Sequence, residues 1–156
     1  MAKSRPGQHE FLEPDEWKSV NALLKLNRIV LTELDGQLRR VHGLAVSEFD
    51  VLITLFNSPD VRLRMSTLAD RALLSPAGLT HLVTRLERDG LVQREVDPSD
   101  GRKWFAVLTD AGDSRLAEVR RTHNAVLRDT FLSKTSPAER QTLQRIWARL
   151  APPTDG

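Results

Sequence analysis

Apolar side chains along the first third of the chain recur with the period of a helix. Trp17, Val20, Leu24, Leu31, Leu34, Leu38 and Val41 stand three or four residues apart once Asn27 is counted into the series. Pro14 suits a first helical position, and Asp15 and Glu16 suit the positive end of the helix dipole. Leu23, Leu26, Ile29 and Val30 add a second apolar stripe beside the first. A helix this broadly apolar needs neighbours on more than one side, which predicts a subunit interface. A helix buried in the core of a single chain is the competing reading.

Shorter periodic segments follow. Gly43 marks a stop, and Ser47 with Asp50 resembles a capping box opening a helix whose Phe49, Leu52, Ile53 and Phe56 face inward. The run Arg62–Met65 pairs as an edge strand, and Ser66 caps a brief helix over TLADRALL. Ser75-Pro76 then supplies a cap and a first-turn proline, so a second helix begins after a turn of very few residues. That is helix-turn-helix spacing. In this helix Leu79, Leu82, Val83 and Leu86 share one face, while Ala77, Thr80, His81, Thr84, Arg85 and Arg88 project from the other; Gly90 closes it.

The period then changes to that of strands. LVQREV and KWFAVL form a hairpin across the turn Asp97–Gly101. Thr109 caps a long helix carrying Leu116, Val119, His123, Val126 and Thr130. Ser136 to Glu139 opens a last one with Leu143, Ile146, Trp147 and Leu150 inward, stopped by Pro152-Pro153. The expected fold is mainly α with a small β-hairpin, a winged helix-turn-helix. Residues 1–13 form an arm, 14–46 an N-terminal dimerisation helix, 47–108 the reading domain and 109–156 the C-terminal dimerisation helices.

Composition narrows the function classes. The 156 residues fit one compact domain with arms, and no apolar run approaches the roughly 20 residues of a membrane span. The basic N-terminus has no apolar segment behind it, so the chain reads as soluble and cytoplasmic. Cysteine is absent, which excludes disulfides and thiolate chemistry. The four histidines, at 9, 42, 81 and 123, have no metal spacing, and no phosphate-loop or nucleophile-elbow pattern occurs. The expectation is no catalysis, no cofactor and no metal.

Net charge is only +2, although 18 of the 23 basic residues are arginine. From Ser75 to Lys103, Arg85, Arg88, Arg94, Arg102 and Lys103 are matched by Glu87, Asp89, Glu95, Asp97 and Asp100. DNA affinity must therefore come from placement.

The order of helix pair and hairpin is the plan in which the second helix enters the major groove of duplex DNA and the hairpin flanks it. Ser66, Ser75, Ala77, Gly78, Thr80, His81, Thr84, Arg85, Arg102 and Lys103 are the expected DNA contacts. Ala77 and Gly78 allow close approach, and Arg85 is the candidate for a bidentate guanine contact. Arg102 and Lys103 at the hairpin tip suit the minor groove or the backbone. Arg94, Asp97 and Asp100 are expected to support the wing, with Asp97 or Asp100 orienting Arg102 or Arg94.

The stretch from Arg62 to Gly112 strongly resembles the MarR (multiple antibiotic resistance regulator) family. Leu68-Ala69, Ser75, the segment from Thr80 to Arg94, the wing residues Asp97, Asp100 and Arg102, and the exit from Leu108 to Gly112 occur in the family's order. The resemblance extends more loosely over residues 14–150. It implies a homodimer gripping a pseudo-palindromic operator, commonly as a repressor, with small aromatic or anionic effectors lowering DNA affinity. Where the family's wing usually reads D-R-R, this chain has Asp100-Gly101-Arg102, so one tip cation is missing and the turn gains freedom. Trp17, Asn27, Arg28 and His42 are candidates for an effector pocket, against a register-setting asparagine and a core-edge tryptophan. A winged-helix module that binds protein in place of DNA is the rival function.

Overall fold

The computed structural model describes residues 12–150, so all but the last two residues of the expected 1–13 arm, and the stop at Pro152-Pro153, lie outside the described residues. Among the described residues, six helices and three strands follow in the order α1 (Pro14–His42), α2 (Val46–Phe56), β1 (Arg62–Arg64), α3 (Met65–Arg71), α4 (Pro76–Arg88), β2 (Val92–Asp97), β3 (Asp100–Leu108), α5 (Asp110–Thr130) and α6 (Pro137–Leu150). Single 3₁₀ turns precede β1 and α6.

The junction of α1 and α2 is tightly built. Gly43 takes a left-handed φ of 65°, and its N–H and that of Leu44 return to the carbonyls of Arg39 and Leu38. Asp35 accepts from Arg39 Nε at 2.6 Å and from the Val46 amide at 3.0 Å. Those bonds, led by the one from Arg39, hold its carboxyl below the ordinary aspartate range. The expected Ser47–Asp50 box is displaced by two residues: Ala45 is the N-cap of α2, with Glu48 accepting from its amide at 2.7 Å.

The core lies around α2, α3, α4 and the sheet and takes in side chains of the flanking helices. Leu52 and Leu55 of α2, Leu68 of α3, Leu79, Val83 and Leu86 of α4, Val92 of β2 and Ala106 of β3 pack with Leu38, Leu116 and Val119 from the flanking helices. β3 lies between β1 and β2 in an antiparallel sheet. Leu63 pairs with Ala106, and Arg94 with Ala106 from the other side. Phe56, expected inward, remains 37% exposed beneath the Arg120 guanidinium.

The terminal helices differ. From Pro14 to Glu33 no residue of α1 is buried, and Trp17 is 55%, Leu24 59% and Leu31 44% exposed. Only Leu34 and Leu38 reach the interior. In α6 the expected inward row is not buried: Leu143 and Ile146 are half-covered, and Trp147 and Leu150 are exposed. The physical reason is that, among the described residues, no other helix or strand packs extensively against α6.

Candidate nucleic-acid interface

The recognition helix starts where the sequence places it. Ser75 Oγ accepts from the Gly78 amide at 3.1 Å, and Pro76 holds the first helical position. The turn before it carries Leu73 at φ 53°, 93% exposed. Ser66 does not cap α3. That helix begins at Met65, with Arg64 in the cap position, because β1 runs directly into it; Ser66 is an exposed residue of the first turn.

Ala77, Thr80, His81 and Thr84 stand exposed on α4, as their spacing predicts. The two threonines differ in freedom. Thr80 Oγ1 donates to the Pro76 carbonyl at 2.8 Å. Thr84 Oγ1 donates to Thr80 O and also accepts from Arg94 Nη2, both at 2.8 Å.

Arg85, the expected guanine contact, is engaged within its own protomer. Its Nε meets Glu48 Oε1 at 3.0 Å, and Glu48 is only 2% exposed. A second N–H reaches the Gly43 carbonyl at 3.4 Å. The guanidinium is turned back onto the α1–α2 junction, because a buried carboxylate needs a cation there.

Wing support also differs from expectation. Arg94 pairs with Glu87, at 3.0 Å, and donates to Thr80 O and Thr84 Oγ1, so it ties β2 to the recognition helix. Asp97 orients neither Arg94 nor Arg102. It is 4% exposed and accepts from the Ser99 hydroxyl at 2.6 Å, the Ser99 amide at 2.9 Å and Arg64 Nη2 at 2.8 Å. The Ser99 hydrogen bonds foremost, with Arg64 behind them, hold its carboxyl below the usual aspartate range. Asp100 accepts from the Arg102 backbone amide at 3.2 Å and pairs with Lys103 Nζ at 3.1 Å.

The hairpin turn is tighter than its sequence suggests. Pairing continues to Asp97–Asp100 around Pro98-Ser99, with a shift after Val96–Trp104 that leaves Gly101 to Lys103 as a bulge. Gly101 has no positive φ, and nothing lies within 4 Å of where its Cβ would stand. Its backbone does not require glycine.

Between α3, α4 and the wing runs an open groove of about 610 Å³, lined by Arg64, Met65, Ser66, Thr80, Arg94, Arg102, Lys103 and Trp104. Of its four cations, only Arg102 has no ion-pair partner among the described residues. Arg64, Met65 and Trp104 escaped the sequence reading. Their convergence depends on β1 pairing with β3, a contact between segments some forty residues apart with no local signature.

The candidate effector residues do not converge within one protomer. Trp17, Asn27 and Arg28 lie exposed along α1. His42, fourteen residues beyond Arg28, is about 21 Å further along the helix at its ordinary rise. It bonds Thr122 Oγ1 at 2.8 Å, and burial, with the nearby Arg115 charge, pushes its imidazole pKa down.

Known proteins share this arrangement. Residues 44–104 match the MarR family model. Two Bacillus subtilis HTH-type transcriptional regulators are similar. YkoM is 34% identical over 102 residues, 65% of this chain and 64% of its own length; MhqR is 31% identical over 124 residues, 78% of this chain and 83% of its own length. The crystal structure of Sco3205, a MarR family transcriptional regulator from Streptomyces coelicolor solved in complex with DNA, superposes with a TM-score of 0.84 at 33% identity. It covers 90% of this chain and 92% of that one. With the helix pair, three-stranded sheet and wing found in the order the sequence resemblance implied, this chain belongs to the MarR family of transcriptional regulators.

Proposed function

We propose that two copies of this chain bind duplex DNA at a pseudo-palindromic operator in the cytoplasm and repress transcription. The carrying observation is the exposed Ala77, Thr80 and His81 face beside the unpaired Arg102, with the groove between them. A helix face free of large side chains near its N-terminus can enter the major groove, where Ala77 and the Thr80 methyl suit a thymine methyl and His81 a base edge or phosphate. Arg102, with Lys103, reaches the minor groove or backbone. Arg85 serves the protomer's own structure in this reading and leaves base recognition to the first two turns of α4.

Residues 14–46 and 109–156 act as dimerisation arms around the reader at 47–108. The uncovered Trp17, Leu24 and Leu31 support that division. Release by a small aromatic or anionic effector is supported by family membership alone, and titrating salicylate-like acids against the complex tests it.

Selection of bound duplexes from a random pool tests the central reading. A single enriched palindrome is expected, with half-sites about one helical turn apart. On that duplex Arg102→Ala should weaken binding to all sequences alike and lower the salt slope by about 1. A pool that emerges without enrichment contradicts DNA recognition.

A further inference from the structure

The core-facing side of the hairpin continues beyond the core. Val92 pairs with Leu108, Arg94 with Ala106 and Val96 with Trp104, all on one face by strict alternation. Val92, Ala106 and Leu108 are buried, whereas Val96 and Trp104 are each 45% exposed. The wing thus presents an unpartnered apolar pair where it overhangs α3 and α4. Trp104 forms the apolar wall of the 610 Å³ groove together with Met65, and the rim carries Arg64, Arg94, Arg102 and Lys103.

A surface that sets an indole among four cations fits a ligand alternating apolar and anionic groups at short intervals. We propose that this groove seats one sugar–phosphate strand of the duplex, with Trp104 packed on a deoxyribose face while Arg102 and Lys103 meet the flanking phosphates. The inference rests on the DNA-binding reading above and assigns Trp104 as a contact residue in it. Three features support a backbone strand as the occupant. The groove is open along its length. Arg94 and Arg64 are immobilised by Glu87 and Asp97, so their charge is held in place. Arg102, which is exposed, has no ion-pair partner among the described residues. Sugar contact carries no base information, so Trp104 contributes equally to every duplex, and being apolar it contributes independently of salt.

The test uses the full chain with Trp17→Phe and Trp147→Phe, leaving Trp104 as its one tryptophan, and the selected and scrambled duplexes as probes. Saturation with the selected duplex should change the Trp104 emission and shield it from acrylamide. Trp104→Ala in the otherwise unchanged chain should weaken both duplexes roughly tenfold with the salt slope preserved, and Trp104→Phe should restore most of the loss. Acrylamide access unchanged at saturation overturns the assignment, as does Trp104→Ala binding within twofold of the parent. The fluorescence arm stands even where the alanine variant folds poorly. Failure of the parent chain to bind any duplex would strike the DNA reading itself, whereas normal binding with an indifferent Trp104 strikes only this inference.

Discussion

The reading domain and the terminal helices solve the burial problem differently. Around α2, α3, α4 and the sheet, the apolar face of each element meets another within the same chain, and Val51, Leu52, Leu55, Leu68 and Val83 have no exposed surface. Along the first two-thirds of α1 and the whole of α6, no residue is buried and the apolar side chains are half-covered or exposed. The first region closes its core with help from the flanking helices. In the proposed dimer the second is half of a contact, its exposed apolar stripe left for a second copy to cover.

Charging the stripe should break this contrast most severely. Leu24→Glu with Leu31→Glu should give a monomer by light scattering with a folded reading domain, and operator affinity should fall by about 100-fold or more through lost bivalency. A dimer surviving both charges would place the subunit contact away from the α1 stripe. Gly112, buried at the start of α5, probes the joint between the regions. A methyl there would overlap the Leu91 carbonyl, so Gly112→Ala should cost about 3 kcal/mol and lower Tm by roughly 6–12 °C. An unchanged melting curve would mean that α5 can shift on the sheet.

Inside the reading domain, Arg85→Ala separates support from recognition. It leaves Glu48 buried without its cation; because Arg85 itself is 45% exposed, the expected loss is about 1–2 kcal/mol, read by denaturant unfolding. The order of preference among duplexes should stay the same. A relaxed operator specificity would instead restore the guanine contact that the sequence suggested. The smallest effect is a gain. Gly101→Arg fits open space without backbone strain and should strengthen DNA binding about threefold at low salt, raising the salt slope by about one. No change in slope would place the wing tip away from phosphate.

What the sequence made legible was local. Pro14, Ser75-Pro76, Thr109 and the Ser136–Glu139 box mark helix starts because capping acts over three or four residues, and each was found where it was read. The exposed face of α4 followed from period alone. Partners distant along the chain were invisible: Glu48 for Arg85, Arg64 for Asp97, and Glu87, seven residues away across a turn, for Arg94. Each pairing was missed because the carboxylate arrives through tertiary packing; for Arg94 the wing aspartates stood nearer in sequence than its true partner. α6 erred in the other direction, since its apolar row shows that a face will be covered without saying by which chain.

The central claim is that these reading heads work in pairs held by the uncovered helices. Native mass spectrometry of the full chain on its selected duplex tests it directly. Two chains per duplex are expected, with the doubly charged α1 variant failing to form that complex at the same concentration. One chain per duplex, bound as tightly by the variant as by the parent, would contradict it.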